Sequence, residues 1–154
     1  MYKSYLNISN LPRGLRNNNP ANLVRSANAW LGKIPYNQSL DSKFEQFTEL
    51  RYGLRALMRD IYSDYTKKNK KTVTELISEF APAFENNTTA YINTVIKAIG
   101  SNIIGELTQD KMIALCKAII LVENGSAYSN YITDKDYNDA MAILGLPLKK
   151  KVTQ

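Results

Sequence analysis

Glu123 is the residue whose placement most suggests chemistry. It lies four positions after Ile119, seven after Cys116 and eleven after Met112, so on a helix it projects from the inward-packing face. A carboxyl at the edge of a core, at the negative end of a helix dipole, favours its neutral form and suits a general acid. The plainer alternative is an edge-of-core glutamate that reaches water or pairs with an arginine. Glu85 precedes another helix start, where a negative charge is favoured by the dipole whether or not it does chemistry. Tyr91, on the helix that follows, belongs either to the core or to the wall of a cleft. Asp41 and Glu45 flank Phe44 and offer further carboxylates without distinctive spacing.

The segment Arg13-Gly14-Leu15-Arg16-Asn17-Asn18-Asn19-Pro20-Ala21-Asn22-Leu23 concentrates side-chain amides. Amides supply both donors and acceptors, as reading sugar hydroxyls and N-acetyl groups requires, but they also build turns. The stretch lacks the glycine spacing and the Gly-Lys-Ser/Thr ending of a phosphate-binding loop. Histidine is absent from the 154 residues, which excludes Ser-His-Asp triads, Cys-His dyads and histidine-based zinc sites. The single cysteine, Cys116, forms neither an internal disulfide nor a metal cluster and reads as a small buried hydrophobe. No metal or cofactor is implied.

The elements that position these residues change character along the chain. Prolines, glycines and asparagines punctuate the first third, where weak alternation at Phe44 and Phe47, with Trp30, Ile34 and Tyr36, predicts one or two short strands. From Leu50 the apolar spacing becomes helical through Leu54, Leu57, Ile61 and Tyr65. Thr72 with Glu75 makes a capping box for a short helix ended by Pro82, and Asn87 or Thr88 caps another that stops at Gly100. Thr108 caps the helix carrying Glu123, with Gly125 just beyond it, and a last helix starts near Asp134. The expected class is α+β, mainly α-helical, with a small irregular or β portion near the N-terminus. Residues 1–12 read as an extension, 13–148 as one domain and 149–154 as a basic tail.

The motifs, taken in order, resemble a phage and prophage virion-protein family with a lysozyme-like domain, whose opening signature is Arg-Gly-Ile/Leu-Arg-Asn-Asn-Asn-Pro-x-Asn. Trp30-Leu31-Gly32, Phe44-Glu45-Gln46-Phe47, Tyr52-Gly53-Leu54-Arg55-Ala56, Phe80-Ala81-Pro82, Glu85 to Tyr91 and Glu123-Asn124-Gly125 continue the likeness over roughly residues 13–130. The chain is also similar, more distantly, to peptidoglycan glucosaminidases in which the glutamate helix comes first. The resemblance implies a circular permutant of a lysozyme-like fold, with Glu123 beside the Asn17–Asn22 loop.

It further implies a peptidoglycan-cleaving glycosidase of the muramidase, glucosaminidase or lytic transglycosylase kind. Glu123 would be its general acid and Glu85 a second carboxylate. Arg16, Asn19, Asn22 and Tyr91 would bind substrate, and Trp30 or Tyr36 would stack on a sugar ring. The alternative is a non-catalytic virion structural or wall-binding protein. The net charge of +6 suits an anionic partner; peptidoglycan strands and other virion proteins are the expected ones. A nucleic-acid role is disfavoured because the tyrosines among the basic residues fall on an apolar helical stripe. The start of the chain lacks the apolar core of a secretory signal, and no stretch is long enough to insert in a membrane. The expected location is the virion, or the host cytoplasm before release to the wall.

Overall fold

The structure, a computed structural model, describes residues 1–81 and 87–150. Six α-helices form it: α1 (Arg13–Arg16), α2 (Leu50–Thr66), α3 (Val73–Phe80), α4 (Thr88–Ile99), α5 (Gln109–Asn124) and α6 (Asp134–Ala142), with a 3-10 turn at Ser126–Tyr131.

Local signals fix the helix ends. The Thr72 hydroxyl accepts from Glu75 N at 3.1 Å, Asn87 Oδ1 from Ala90 N at 3.1 Å and Thr108 Oγ1 from Lys111 N at 3.1 Å, each satisfying an otherwise orphaned donor. Thr133 and Asp136 close a reciprocal capping box on α6. Leu50, Leu54, Leu57, Met58 and Ile61 bring one fully buried face of α2 into the core, where Leu115, Cys116 and Ile119 of α5 meet it. Burial pushes the Cys116 thiol well above its ordinary range, as befits a core side chain. Arg55 and Arg59 on α2 donate to Ile143 O at 2.9 Å and Leu144 O at 2.6 Å, placing cations on the exposed carbonyls that end α6.

The α+β class with a β portion near the N-terminus, expected from the sequence, is corrected to a helical one whose N-terminal third is irregular. The segments read as strands form only isolated bridges, Val24 with Phe44 and Lys33 with Phe47, and no sheet exists among the described residues. Side-chain amides take the place of a ladder. Asn19 Nδ2 donates to Leu23 O and Glu45 O, both at 3.0 Å, while Leu23 N donates back to Asn19 Oδ1 at 3.0 Å. Asn18 Nδ2 donates to Phe47 O at 2.9 Å. Backbone groups served in this way need no neighbouring strand.

Residues at the start of the chain are woven into the same core. Leu50 N donates to Lys3 O at 2.9 Å, Tyr5 N donates to Asn18 Oδ1 at 2.8 Å and Lys3 pairs with Asp136 at 2.7 Å. No helix among the described residues is long and apolar enough to cross a membrane.

Candidate functional site

Glu123 lies in the last turn of α5, half-buried. Asn22 adopts a left-handed backbone (φ 55°), which short amide side chains tolerate, and this turns its Nδ2 toward α5. That nitrogen donates to Glu123 Oε1 at 2.9 Å. One residue on, Asn124 Nδ2 donates to Pro20 O at 2.7 Å and to Ile120 O at 3.0 Å, so the 19–22 turn is clamped to the helix end at two points. Gly14 makes the fit possible: a Cβ there would stand 2.6 Å from Asn124 Oδ1 and 3.2 Å from Asn22 Oδ1.

Tyr91 of α4 reaches the same corner from the other side. It is only 2% exposed, and its hydroxyl interacts with the Glu123 carboxylate without meeting any partner in hydrogen-bonding geometry. Burial first, and the Glu123 charge second, keep that hydroxyl protonated far above its ordinary range. Asn22 Oδ1 and Asn124 Oδ1 are also buried without partners. The Tyr91 hydroxyl faces the carboxylate while the two amide oxygens face Gly14, and three unpaired buried polar atoms are a costly arrangement in a packed protein, one that calls for an explanation such as a bound water or ligand. Glu123 has no ion-pair partner among the described residues, which removes the plain structural role of an arginine-paired glutamate. Beside its turn opens a cavity of about 270 Å³ lined by Leu15, Ile120, Asn124, Gly125, Tyr128 and Tyr137, among others.

The remaining candidates are placed elsewhere. Asn19 is fully buried with both ends of its amide occupied, as described above, so it has nothing left with which to read a ligand. Asn17 donates to Asp41 and accepts from Gln46 Nε2, each at 2.9 Å. Arg16 donates to Leu11 O at 3.0 Å and lines a separate polar groove with Asn7, Arg13 and Gln46. Trp30 lines a cavity against α2 with Asp60 and Tyr62. Glu85 lies outside the described residues.

The other two carboxylates are committed to structure. Asp41 takes a bidentate Arg13 at 2.6 and 2.8 Å, and the Arg13 guanidinium first, then backbone and Asn17 donors, hold its carboxyl far below the usual range. Glu45 is fully buried against Lys33 at 3.0 Å and the Tyr36 hydroxyl at 2.9 Å. That pairing ties Tyr36 into the fold. Among the described residues no group of three or more acidic or cysteine side chains is arranged to hold a metal.

Sequence reasoning passed over Asn124 and Gly14. The signal for both was present, since an asparagine directly after the glutamate and a glycine between two arginines are the residues that let a loop close onto a helix end.

No protein-family model matches the chain. It is 34% identical over 122 residues to Protein P5 of Pseudoalteromonas phage PM2, a match covering 77% of this chain and 75% of that protein.

Proposed function

The chain belongs to the family of Protein P5 of Pseudoalteromonas phage PM2, and from that premise we propose that it is a peptidoglycan-cleaving glycosidase with Glu123 as its general acid. The observation that carries this reading is the Glu123 corner: a half-buried carboxyl without a cation, oriented by Asn22 at 2.9 Å and facing the unpartnered Tyr91 hydroxyl. The resemblance of the ordered motifs to peptidoglycan glycosidases supports it, and kinship with a phage protein fits an enzyme that meets the wall as part of a virion.

Glu123 protonates the glycosidic oxygen as the bond from that oxygen to C1 breaks. A hydroxyl, either the sugar's own or that of a water opening the oxazolinium formed by acetamide attack, then adds to C1 and returns its proton to the Glu123 carboxylate. Among the described residues Asp41 and Glu45 are locked in ion pairs and supply no second carboxylate, and in a one-carboxylate route the sugar's own hydroxyl or acetamide attacks. Asn22 fixes the carboxyl, and Tyr91 donates to whichever oxygen carries the developing charge.

The test is digestion of purified peptidoglycan by the wild type and by Glu123→Gln, with soluble fragments read by mass spectrometry. We expect glycan fragments from the wild type and a loss of about 10²- to 10⁴-fold in the variant, the usual worth of a general acid. Anhydro ends would identify transglycosylation, and reducing ends hydrolysis. Equal release by both proteins would remove Glu123 from the mechanism. Wall binding without fragments would favour the second reading, a non-catalytic virion or wall-binding protein. One observation supports that reading: Asn17, Asn18 and Asn19 are spent on internal hydrogen bonds.

A further inference from the structure

A second cavity, of about 390 Å³, lies between α2 and the Trp30 turn and shares no residue with the Glu123 corner. Its size falls in the range of small-ligand sites. The Asp60 carboxylate, the Trp30 indole N–H and the Tyr62 hydroxyl, all partly buried, have no hydrogen-bond partner among the described residues. Burial, and then the charge of Asp64, push the Asp60 carboxyl up to about 6, so the group is held in an environment that does not suit its own charge.

The walls are also fixed in place. Lys33 N donates to Trp30 O at 3.2 Å, Thr48 N to Gly32 O at 3.0 Å and Lys33 Nζ to Asn28 O at 2.9 Å, which pin the turn that carries the indole. Arg59 is tethered to Leu144 O on the opposite side. A pocket whose walls are set before binding loses little entropy when it is filled.

The charges select the class of occupant. Arg59 and Lys67 on the wall oppose an amine, Asp60 opposes a phosphate or carboxylate, and behind it Lys68 is spent between Asp64 and Glu79, so neither sign of charge prevails. A neutral ligand with several hydroxyls satisfies all the groups at once: hydroxyls donate to Asp60, ring or acetamide oxygens accept from the indole and the phenol, and the apolar face of the ring covers the aromatic surfaces. We propose that this cavity is a saccharide-binding site, with Asp60 the hydroxyl acceptor and Trp30 the platform. The class follows from the cavity's own chemistry and not from the reaction assigned to Glu123.

Trp30 is the single tryptophan of the chain, so its fluorescence reports this cavity. The full-length protein is titrated with a tetramer of N-acetylglucosamine and, separately, with maltotetraose, in the wild type and in Glu123→Gln. The expected result is a saturable change in emission with at least one of them, with similar midpoints in both proteins, and a midpoint at least tenfold higher in Asp60→Asn. Tyr62→Phe, which keeps the ring, serves as the second variant if Asp60→Asn does not fold, and its midpoint should rise as well. Absence of a saturable change with either sugar up to about 10 mM overturns the proposal. So does a response that neither variant weakens, because the sugar would then bind elsewhere. A protein that binds sugar here yet releases no glycan fragments sinks the reaction and keeps this site, and the converse result does the reverse.

Discussion

The Tyr91 hydroxyl sets stability against function at the scale of one atom. A buried hydroxyl without a partner costs roughly 1–3 kcal/mol, and this one faces a carboxylate that carries the proposed chemistry. Removing it should therefore help the fold and harm the reaction. Tyr91→Phe is expected to be more stable than the wild type by about 1 kcal/mol in urea unfolding and to release peptidoglycan fragments at least tenfold more slowly. A less stable variant would mean that the hydroxyl is satisfied in the native protein. A stabilised variant with undiminished activity would confine Tyr91 to the core. Asn22 sits differently, since its nitrogen is paired to Glu123 and only its oxygen is orphaned. Its left-handed backbone is the sort of local strain that functional corners retain.

At the scale of elements, Gly53 explains how the asparagine turn meets α2. Glycine inside a helix costs about 1 kcal/mol relative to alanine, yet a Cβ at this position would come within 1.7 Å of Asn18 O. The turn packs directly on the bare backbone. Gly53→Ala should thus destabilise the protein by about 3 kcal/mol or more, against its helix propensity. Equilibrium unfolding measures this, and an unchanged or raised midpoint would refute the packing argument. The helices from α2 onward were legible in the sequence because their signals are local: Thr72, Asn87, Thr108 and Thr133 each cap the helix that follows, whereas the four-residue α1, uncapped by any side chain, lay in a stretch read as turns. The supposed β portion was not, because alternation at Phe44 and Phe47 cannot reveal that Asn18 and Asn19, far away in sequence, would take the carbonyls a strand would have used. The same distance effect divides the site. Proximity of Glu123 to Asn22 followed from motif order, while the removal of Trp30 to the Asp60 cavity depends on how α2 packs, which spacing along the chain does not encode.

For the whole molecule, two carboxylates with opposite perturbations shape the dependence of stability on pH. The carboxyl of Asp41 is held far below its ordinary value by Arg13 and its other donors. It contributes stability that is present above the unfolded value near 3.8 and is lost as pH falls through the folded one. The carboxyl of Asp60 is raised from 3.8 to about 6. Its contribution is full below 3.8 and is lost as pH rises through about 6, and Asp64, shifted the same way by burial, adds to that trend. The two contributions are together complete only near the unfolded value, so stability should peak near pH 4, fall as pH rises to about 6 where Asp60 ionises in the folded protein, and fall again in strong acid where Asp41 is protonated. A shift of this size corresponds to about 3 kcal/mol at most, reduced to about 1–2 kcal/mol by the part of Asp60 still open to water. Asp60→Asn should accordingly melt higher than the wild type at pH 7.5 and match it near pH 4. Asp41→Asn should melt lower at pH 7.5, with the gap closing only in strong acid. Parallel melting curves for Asp60→Asn and wild type across that range would show that Asp60 is not desolvated in the folded protein, and would remove the physical reason for its cavity to require a hydroxyl-bearing ligand.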